Sequence, residues 1–473
     1  MTTEQELPKG WKKTTLGEIA TYVNGRAFKP IEWSKTGTPI VRIQNLNNPN
    51  AEYNYYDGYI EEKYHIENGD LLFAWSASLG AYIWKGKSAF LNQHIFKVLP
   101  KENIDKTFIY YLLDKVTNEL YAKAHGSGMV HVTKGKFEAT SVNIPPLEAQ
   151  QAIVNKIESL FDEIDEGIGR LKTAAQQIQQ YRQSLLKNAF NGELTKEWRS
   201  KHADTLPSEN ELLAQIQTTR EQHHAQQLAG WQTAVSQWEQ NGKEGKKPSK
   251  PKASTQAVKF EENFADLPRG WFNFSLDTLA EISGGLTKNA KRGSFKEKVP
   301  YLRVANVYAN ELKLDEIATI GIQENEKART LLQTNDLLIV EGNGSIEQIG
   351  RVAIWNNTIN PCYHQNHLIK ARCYPFVLPK FALYFLISPM GRERIINVAS
   401  STTGLHTLSL TKVANLIIPV CSLAEQTQIV AILETKLTAC DQLAAELAKQ
   451  LKQAELLKQA VLKAAFSGSL LDK

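Results

Sequence analysis

Between positions 154 and 185, apolar residues return every seven places. Ile157, Ile164, Leu171, Ile178 and Leu185 form one row, and Val154, Phe161, Ile168 and Ala175 form a second on the same face. No proline interrupts 147–206. The pattern is written again near the end of the chain, where Leu433, Cys440, Leu447, Ala454 and Val461 run beside Val430, Leu437, Ala444 and Leu451. A seven-residue apolar repeat held this long is a coiled-coil seam, because 3.5 residues per turn keep one face toward a partner helix. A helix of about 43 residues runs to roughly 60 Å at ~1.5 Å per residue. A globule of about 140 residues has too little surface to cover that length. The two seams are therefore expected to cover each other, in competition with the arrangement in which each helix lies on its own globule.

The seams belong to a larger repeat. "LPKGWKKTTLGEIATYVNG" (7–25) lines up with "LPRGWFNFSLDTLAEISGG" (267–285), and "TPIVRIQNL" (38–46) with "VPYLRVANV" (299–307). "NGDLLFAWSASLG" (68–80) answers "TNDLLIVEGNGSI" (334–346), and "NQHIFKV" (92–98) answers "QNHLIKA" (365–371). "FIYYLL" (108–113) pairs with "FALYFL" (381–386), and His131 with His406. Finally "EAQQAIVNKI" (148–157) matches "AEQTQIVAIL" (424–433), and "LLKNAFNGEL" (185–194) matches "VLKAAFSGSL" (461–470). The offset drifts only from 260 to 276 residues, so a whole two-part unit is duplicated in tandem. In each copy, short apolar runs with Gly, Pro and Asn punctuation predict an α+β globule. A proline break and the long helix follow.

At 473 residues, with 42% hydrophobic and 22% charged residues, the chain is of globular composition and long enough for two or three domains. The predicted domains are a first globule (1–146), a first helical spacer (147–190), a linker (191–266), a second globule (267–421) and a second spacer (422–473). Within the linker, 208–240 reads as a helix with Ser208 as N-cap. It is followed by "GKEGKKPSKPK" (242–252), a flexible basic tether with five lysines and two prolines. A net charge of +5 permits an anionic partner without requiring one. The cysteines, at 362, 373, 421 and 440, form no disulfide framework. No stretch approaches a membrane span and no signal pattern opens the chain, so a soluble intracellular protein is expected.

Two related globules at the ends of antiparallel helices would carry an approximate two-fold rotation. The DNA backbone has this symmetry, and half-sites are read about 34 Å apart or a little more. The globules share framework residues and differ elsewhere, so a split, asymmetric target is expected. The order globule, helix, globule, helix resembles the specificity subunit of type I restriction–modification systems. The resemblance rests on the "LPKGW"/"LPRGW" openings, the "PPLEAQQAIV"/"SLAEQTQIV" helix starts and the "LLKNAFNGEL"/"VLKAAFSGSL" helix ends, and it spans essentially the whole chain. It implies two target-recognition domains separated by two long helices in an antiparallel coiled coil, which set the spacer. It also implies a complex with two copies of an adenine-N6 methyltransferase subunit, joined by an ATP-dependent restriction subunit for cleavage. S-adenosylmethionine, ATP and Mg²⁺ would then belong to the partners, in the cytoplasm of a bacterium or archaeon. The first helix departs from the family pattern by opening "EAQQ" where the second keeps "AEQ", which bears on the first methyltransferase dock. The competing function is a duplicated coiled-coil adaptor without DNA specificity.

No catalytic motif survives inspection. "NIPP" (143–146) lacks the aromatic that stacks an extruded base. "GSGMVHVTKGK" fails the phosphate-loop spacing and has Phe137 where Ser or Thr should stand. Cys362, His364, His367 and Cys373 could ligate zinc, but the first copy keeps only His94 opposite His367. "EEK" (61–63) has no preceding Pro-Asp to make it a nuclease motif. Polar loop residues remain, because Gln and Asn pair with adenine and Arg with guanine. The candidate DNA contacts of the first globule are Trp75, Ser76, Ser78, Asn92, Gln93, His94, Ser127, His131, Thr133 and Lys134. Those of the second are Glu341, Asn343, Ser345, Gln365, Asn366, His367, Thr403, His406 and Lys412. Asn45 and Asn306 are further candidate DNA contacts, while Arg42 and Arg303, which recur at one place, are assigned to phosphate positioning or framework.

Overall fold

The computed structural model describes residues 7–471 except 49, 77, 124–132, 245–246, 252–266 and 403–404. The chain folds as two compact units, one of residues 1–175 with 445–473, the other of 176–444. The first long helix, Leu147–Phe190, gives its start to the first unit and its end to the second, and Leu423–Ser467 does the reverse.

In the first unit, Lys12–Thr15 pairs antiparallel with Ser141–Ile144, so the lobe is tied shut where the chain enters and leaves it. A four-stranded antiparallel sheet runs in the order Ala20–Asn24, Ile95–Pro100, Leu71–Ala74, Gly80–Ile83. A second sheet has the order Asn54–Tyr56, Thr38–Val41, Ala89–Leu91, His65–Ile66. The central strand "LLFA" is buried on both faces, which is why it reads as an unbroken apolar run. Helix Lys106–Lys123 sinks Phe108, Ile109, Leu112 and Leu113 into the same core.

The second unit repeats this plan. Phe272–Ser275 pairs with Ile417–Val420, and the larger sheet runs Ala280–Ser283, Leu368–Cys373, Leu337–Val340, Val352–Ile354. Its buried helix is cut in two, Pro379–Ile387 and Pro389–Val398, because Pro389 cannot donate into a continuing helix. The helix Glu209–Gln240 starts at Ser208, whose hydroxyl accepts from the Glu211 amide. It packs on the second unit, where Leu212 and Ile216 enter the core and Arg220 donates to the Asp277 carbonyl (2.9 Å). The lysine–proline stretch departs from the expected free tether over 247–251. Trp231 Nε1 donates to the Pro248 carbonyl (3.0 Å), and Lys247 and Lys250 lie over the rings of Trp238 and Trp231.

The long helices pair antiparallel within each unit. In the first, Ile153, Val154 and Ile157 pack with Val461, Leu462, Ala465 and Phe466, and Lys458 bridges to Asp165 at 2.6 Å. In the second, Leu185, Leu186, Ala189 and Phe190 share a core with Leu433, Leu437 and Cys440, and Arg182 pairs with Asp441. Every residue of the two heptad rows is buried or half-buried, including Ile164, Leu171, Ile178, Leu447 and Ala454 in the middle.

The duplicated pentapeptide has a physical use. Trp11 N donates to the Pro8 carbonyl and Trp271 N to the Pro268 carbonyl, closing tight turns with Gly10 and Gly270 at φ +88 and +82. Each turn then docks on a helix end. A Cβ on Gly468 would stand 2.2 Å from Pro8 Cγ, and one on Gly192 2.1 Å from Pro268 Cγ. The first repeat's turn thus seats on the second repeat's helix, and the reverse. The terminal phenylalanines follow suit: Phe466 meets Phe108 and Phe190 meets Phe381, with ring centroids 5.1 and 5.3 Å apart.

Candidate nucleic-acid interface

At one end of each larger sheet the two central strands stop together. Ala74 pairs with Ile95, and in the second unit Val340 pairs with Leu368. The residues just beyond these ends are Trp75 and His94 in one lobe, and Glu341 and His367 in the other. The backbones agree, since Trp75 N donates to the His94 carbonyl (3.1 Å) and Glu341 N to the His367 carbonyl (2.9 Å). The side chains do not. The Trp75 ring meets the edge of His94 at 4.9 Å, stacks on Phe96 at 5.6 Å and donates from Nε1 to Asn24 Oδ1. Glu341 Oε2 instead lies 2.9 Å from His367 Nδ1. One scaffold therefore presents an apolar, ring-lined surface in the first lobe and a carboxylate–imidazole pair in the second.

Other candidates gather around these pairs. Lys134 Nζ donates to the Tyr22 carbonyl (2.7 Å) and lies 6.0 Å from the centre of Phe96, on the ring that supports Trp75. Thr133 stands at the N-cap position of the short helix Lys134–Glu138 and is exposed, and Ser76 and Ser78 form the tight turn after Trp75. In the second lobe, Gly342–Asn343 pairs with Leu405–Thr407, which sets Asn343 opposite His406, and Asn343 Oδ1 accepts from the Ser345 amide. Lys412 sits on the neighbouring helix Leu410–Ala414, which Ser409 caps. The NQH and QNH segments are stitched by their backbones to the adjoining strands. Asn92 N donates to Val41 O, Gln93 N to Arg26 O, Gln365 N to Leu302 O and Asn366 N to Leu286 O. Their side chains are exposed or half-buried. Ser127, His131 and Thr403 lie outside the described residues.

Two candidates are corrected. Asn45 and Asn306 are each 3% exposed. Asn45 Oδ1 accepts from Arg42 N, and its amide donates to the carbonyls of Ala51 and Glu52. Asn306 does the same with Arg303 N and the carbonyls of Lys313 and Glu316. With both amide hydrogens spent on backbone, neither side chain can read a base. Arg42 lies over the Trp33 ring at 5.4 Å. Among the described residues neither Arg42 nor Arg303 pairs with a carboxylate, and no metal-binding cluster forms. His364 is fully buried, donating through Nδ1 to Leu368 O, and burial depresses its pKa to about 3.

Sequence reasoning missed the polar residues that tie the same central strands together away from these ends. Asp336 is buried and grips Arg372 through both oxygens (2.7 and 2.8 Å), while Lys370 Nζ donates to the carbonyls of Arg329 and Leu331. Burial, with Arg372 adding, lowers the Lys370 pKa to about 8. The first lobe uses Asp70 and Lys97 at the same places, 2.8 Å apart. Gln150 and Gln426 were missed as well. Each donates to two carbonyls and accepts one amide at its helix start. Apart from Arg372, these stand in the aligned blocks, so their recurrence was the available signal.

The "EAQQ"/"AEQ" difference also has a local cause. Glu425, at the place of Ala149, is fully buried and accepts from Thr195 Oγ1 (2.7 Å), Arg199 Nη1 (2.7 Å) and Trp271 Nε1 (3.0 Å). It clasps the linker rather than facing a partner, so the departure says nothing about a dock.

Comparison with known proteins decides the family. The type I restriction modification DNA specificity domain matches twice, over residues 8–172 and 268–453. The chain belongs to the type I restriction–modification specificity family. It is a DNA-recognition subunit with one specificity domain per repeat, and its role is recognition rather than catalysis. It is 23% identical to the type I restriction enzyme EcoBI specificity subunit of Escherichia coli, over 97% of this chain and 86% of the relative. It is 25% identical to the MjaVIII specificity subunit of Methanocaldococcus jannaschii, over 39% of this chain and 43% of the relative. The fold is shared with the HsdS subunit from Thermoanaerobacter tengcongensis (TM-score 0.53, 19% identity, 99% of each chain covered). It is also shared with a chain from a study of complex assembly and conformational transition of the type I R-M system. There the TM-score is 0.65 at 18% identity, with 98% of this chain and all of the other covered. Among the described residues no helix is long and apolar enough to cross a membrane.

Proposed function

We propose that each lobe reads one half of a split, asymmetric DNA word and that the paired helices fix the gap between the halves. The observation that carries this reading is the matched sheet end with unmatched chemistry. A carboxylate such as Glu341 accepts from an exocyclic amine, cytosine N4 being its usual partner. Trp75 offers an apolar face, and its single donor is already spent on Asn24. Two such lobes select different half-sites from one scaffold. The remaining polar candidates around each pair would complete the base contacts, while Arg42 and Arg303 would position phosphates.

The chain would act within a complex. Two adenine-N6 methyltransferase subunits, one per repeat, and ATP-dependent restriction subunits would supply the chemistry, with S-adenosylmethionine, ATP and Mg²⁺ held there. Exposed leucines off the seam, Leu443 in the second unit and Leu456 and Leu457 in the first, support a protein partner on the outer helix faces. A type I restriction–modification role would put the site of action in the cytoplasm of a bacterium or archaeon. Methylome sequencing of a host expressing the chain with its methyltransferase tests the proposal. A single two-part motif with a fixed gap is expected, and a contiguous motif, or methylation without sequence preference, overturns it.

A further inference from the structure

Tyr308 lies on a small hairpin of the second unit, Val307–Tyr308 paired with Glu311–Leu312. Two cations share its ring. Lys313 Nζ is 4.3 Å and Arg351 Cζ 4.7 Å from the centroid. Lys313 is exposed. Arg351 donates through Nη1 to Gln348 Oε1 (3.3 Å) and through Nη2 to the Val304 carbonyl (3.4 Å), both at the long end of the range. Its Nε is buried without a partner, and so is Nε of Arg303, the residue before Val304. Among the described residues no carboxylate pairs with Lys313, Arg351 or Arg303. Glu311 stands across the hairpin from Tyr308, and Asp315 and Glu316 follow Lys313, all exposed and engaged with none of the three. Each cation is attracted to the ring and repelled by the other, so the arrangement is completed by an anion that meets both.

The position of the cluster says which anion. Val340 N donates to the Arg351 carbonyl (2.9 Å), and Val340 immediately precedes Glu341. The Arg351 backbone therefore stands across from Val340, one residue before the Glu341 of the Glu341–His367 pair. A base-reading pair needs backbone contacts beside it to set its register on the duplex. Among the described residues the first lobe has no such cluster at the matching positions. Alignment and strand register set Asn47, Glu52 and Gly80 where Tyr308, Lys313 and Arg351 stand, and Asn47 is bonded to Tyr82 Oη (2.6 Å).

We infer that Tyr308, Lys313 and Arg351 form a phosphate clamp on the DNA backbone at the second half-site, private to that lobe. This rests on the assignment of the second lobe as a DNA reader. The test uses the full chain with its methyltransferase partner. Binding of a fluorescent duplex carrying the methylated motif, and of a random-sequence duplex, is titrated from about 50 to 200 mM salt. Arg351→Gln and Lys313→Gln should each lower the log–log salt slope by about 0.9, which is about fivefold in affinity at about 150 mM, equally on both duplexes. The methylated motif should be unchanged, and Arg351→Lys should keep the wild-type slope. Unchanged slopes in both Gln variants, or a slope lost equally in Arg351→Lys, would overturn the clamp, as would an altered second half of the motif. A wild-type complex that does not prefer the motif duplex would sink the DNA-reading assignment itself, whatever the variants do.

Discussion

Glu425 is the most informative single position for stability. Its carboxylate is fully buried and accepts three hydrogen bonds, from Thr195, Arg199 and Trp271. Replacing it by alanine removes all three at once. Hydrogen bonds to a charged group are worth about 1.5–3 kcal/mol each, but their losses overlap because Arg199 also donates to Thr195 and to the Gly192 carbonyl. The larger effect is Arg199 itself, a side chain 11% exposed that keeps its charge and loses its counter-ion. Breaking a buried pair from one side costs about 3–5 kcal/mol. Against a domain stability of about 5–15 kcal/mol this is a large share. Glu425→Ala should thus destabilise the second unit by about 3–5 kcal/mol in urea melts. Amide exchange should rise over 193–201 and 267–271, the segments this carboxylate holds. Removing both partners leaves no orphaned charge, so Arg199→Ala with Glu425→Ala should be no worse than Glu425→Ala alone. A Glu425→Ala chain within roughly 1 kcal/mol of wild type, with unchanged exchange over those segments, would refute the reasoning.

Three further outcomes follow from the same physics. Glu341→Gln with His367→Ala should change the second half of the methylated motif and leave the first half intact, and altered specificity in both halves would contradict modular reading. Ile157→Ala, at a fully buried seam position, should cost about 2–5 kcal/mol in denaturant melts, whereas exposed Leu456→Ala should stay within about 0.5 kcal/mol. His364 makes the fold acid-sensitive. Above pH 6.5 it is neutral in both states, but below that the unfolded chain takes a proton which the folded one refuses down to about pH 3. Stability should therefore fall by about 1.4 kcal/mol per pH unit across that window. His364→Gln should flatten the slope, and an unchanged slope would mean that the imidazole is protonated in the fold.

Much of the architecture is legible in the residues because it is periodic. The heptads fix which helix faces are apolar, the paired blocks fix that there are two lobes of one design, and Gly10 and Gly270 mark the turns. The candidate site was legible only as loops between aligned blocks. Which loop residues meet depends on strand ends that sequence places only within a few residues. Asn45 and Asn306 show the limit, since an asparagine that reads adenine and one that knots a backbone turn are spelled alike. Glu425 shows it again, because its partners Thr195, Arg199 and Trp271 lie far from it along the chain.

What the sequence determined alone is the set of complementary surfaces: two seams, two buried helices, two turns and two helix ends. It left the choice of partner open, since Phe190 and Phe466 are equivalent in the repeat, as are Phe108 and Phe381. Packing each helix end on its own lobe or on the other would satisfy the same local chemistry. The tertiary structure chose exchange, with Phe466 on Phe108 and Phe190 on Phe381. The physical reason is that a long helix cannot bury a continuous seam on its own lobe, whereas antiparallel pairing covers both seams and carries each helix end into the other repeat's core.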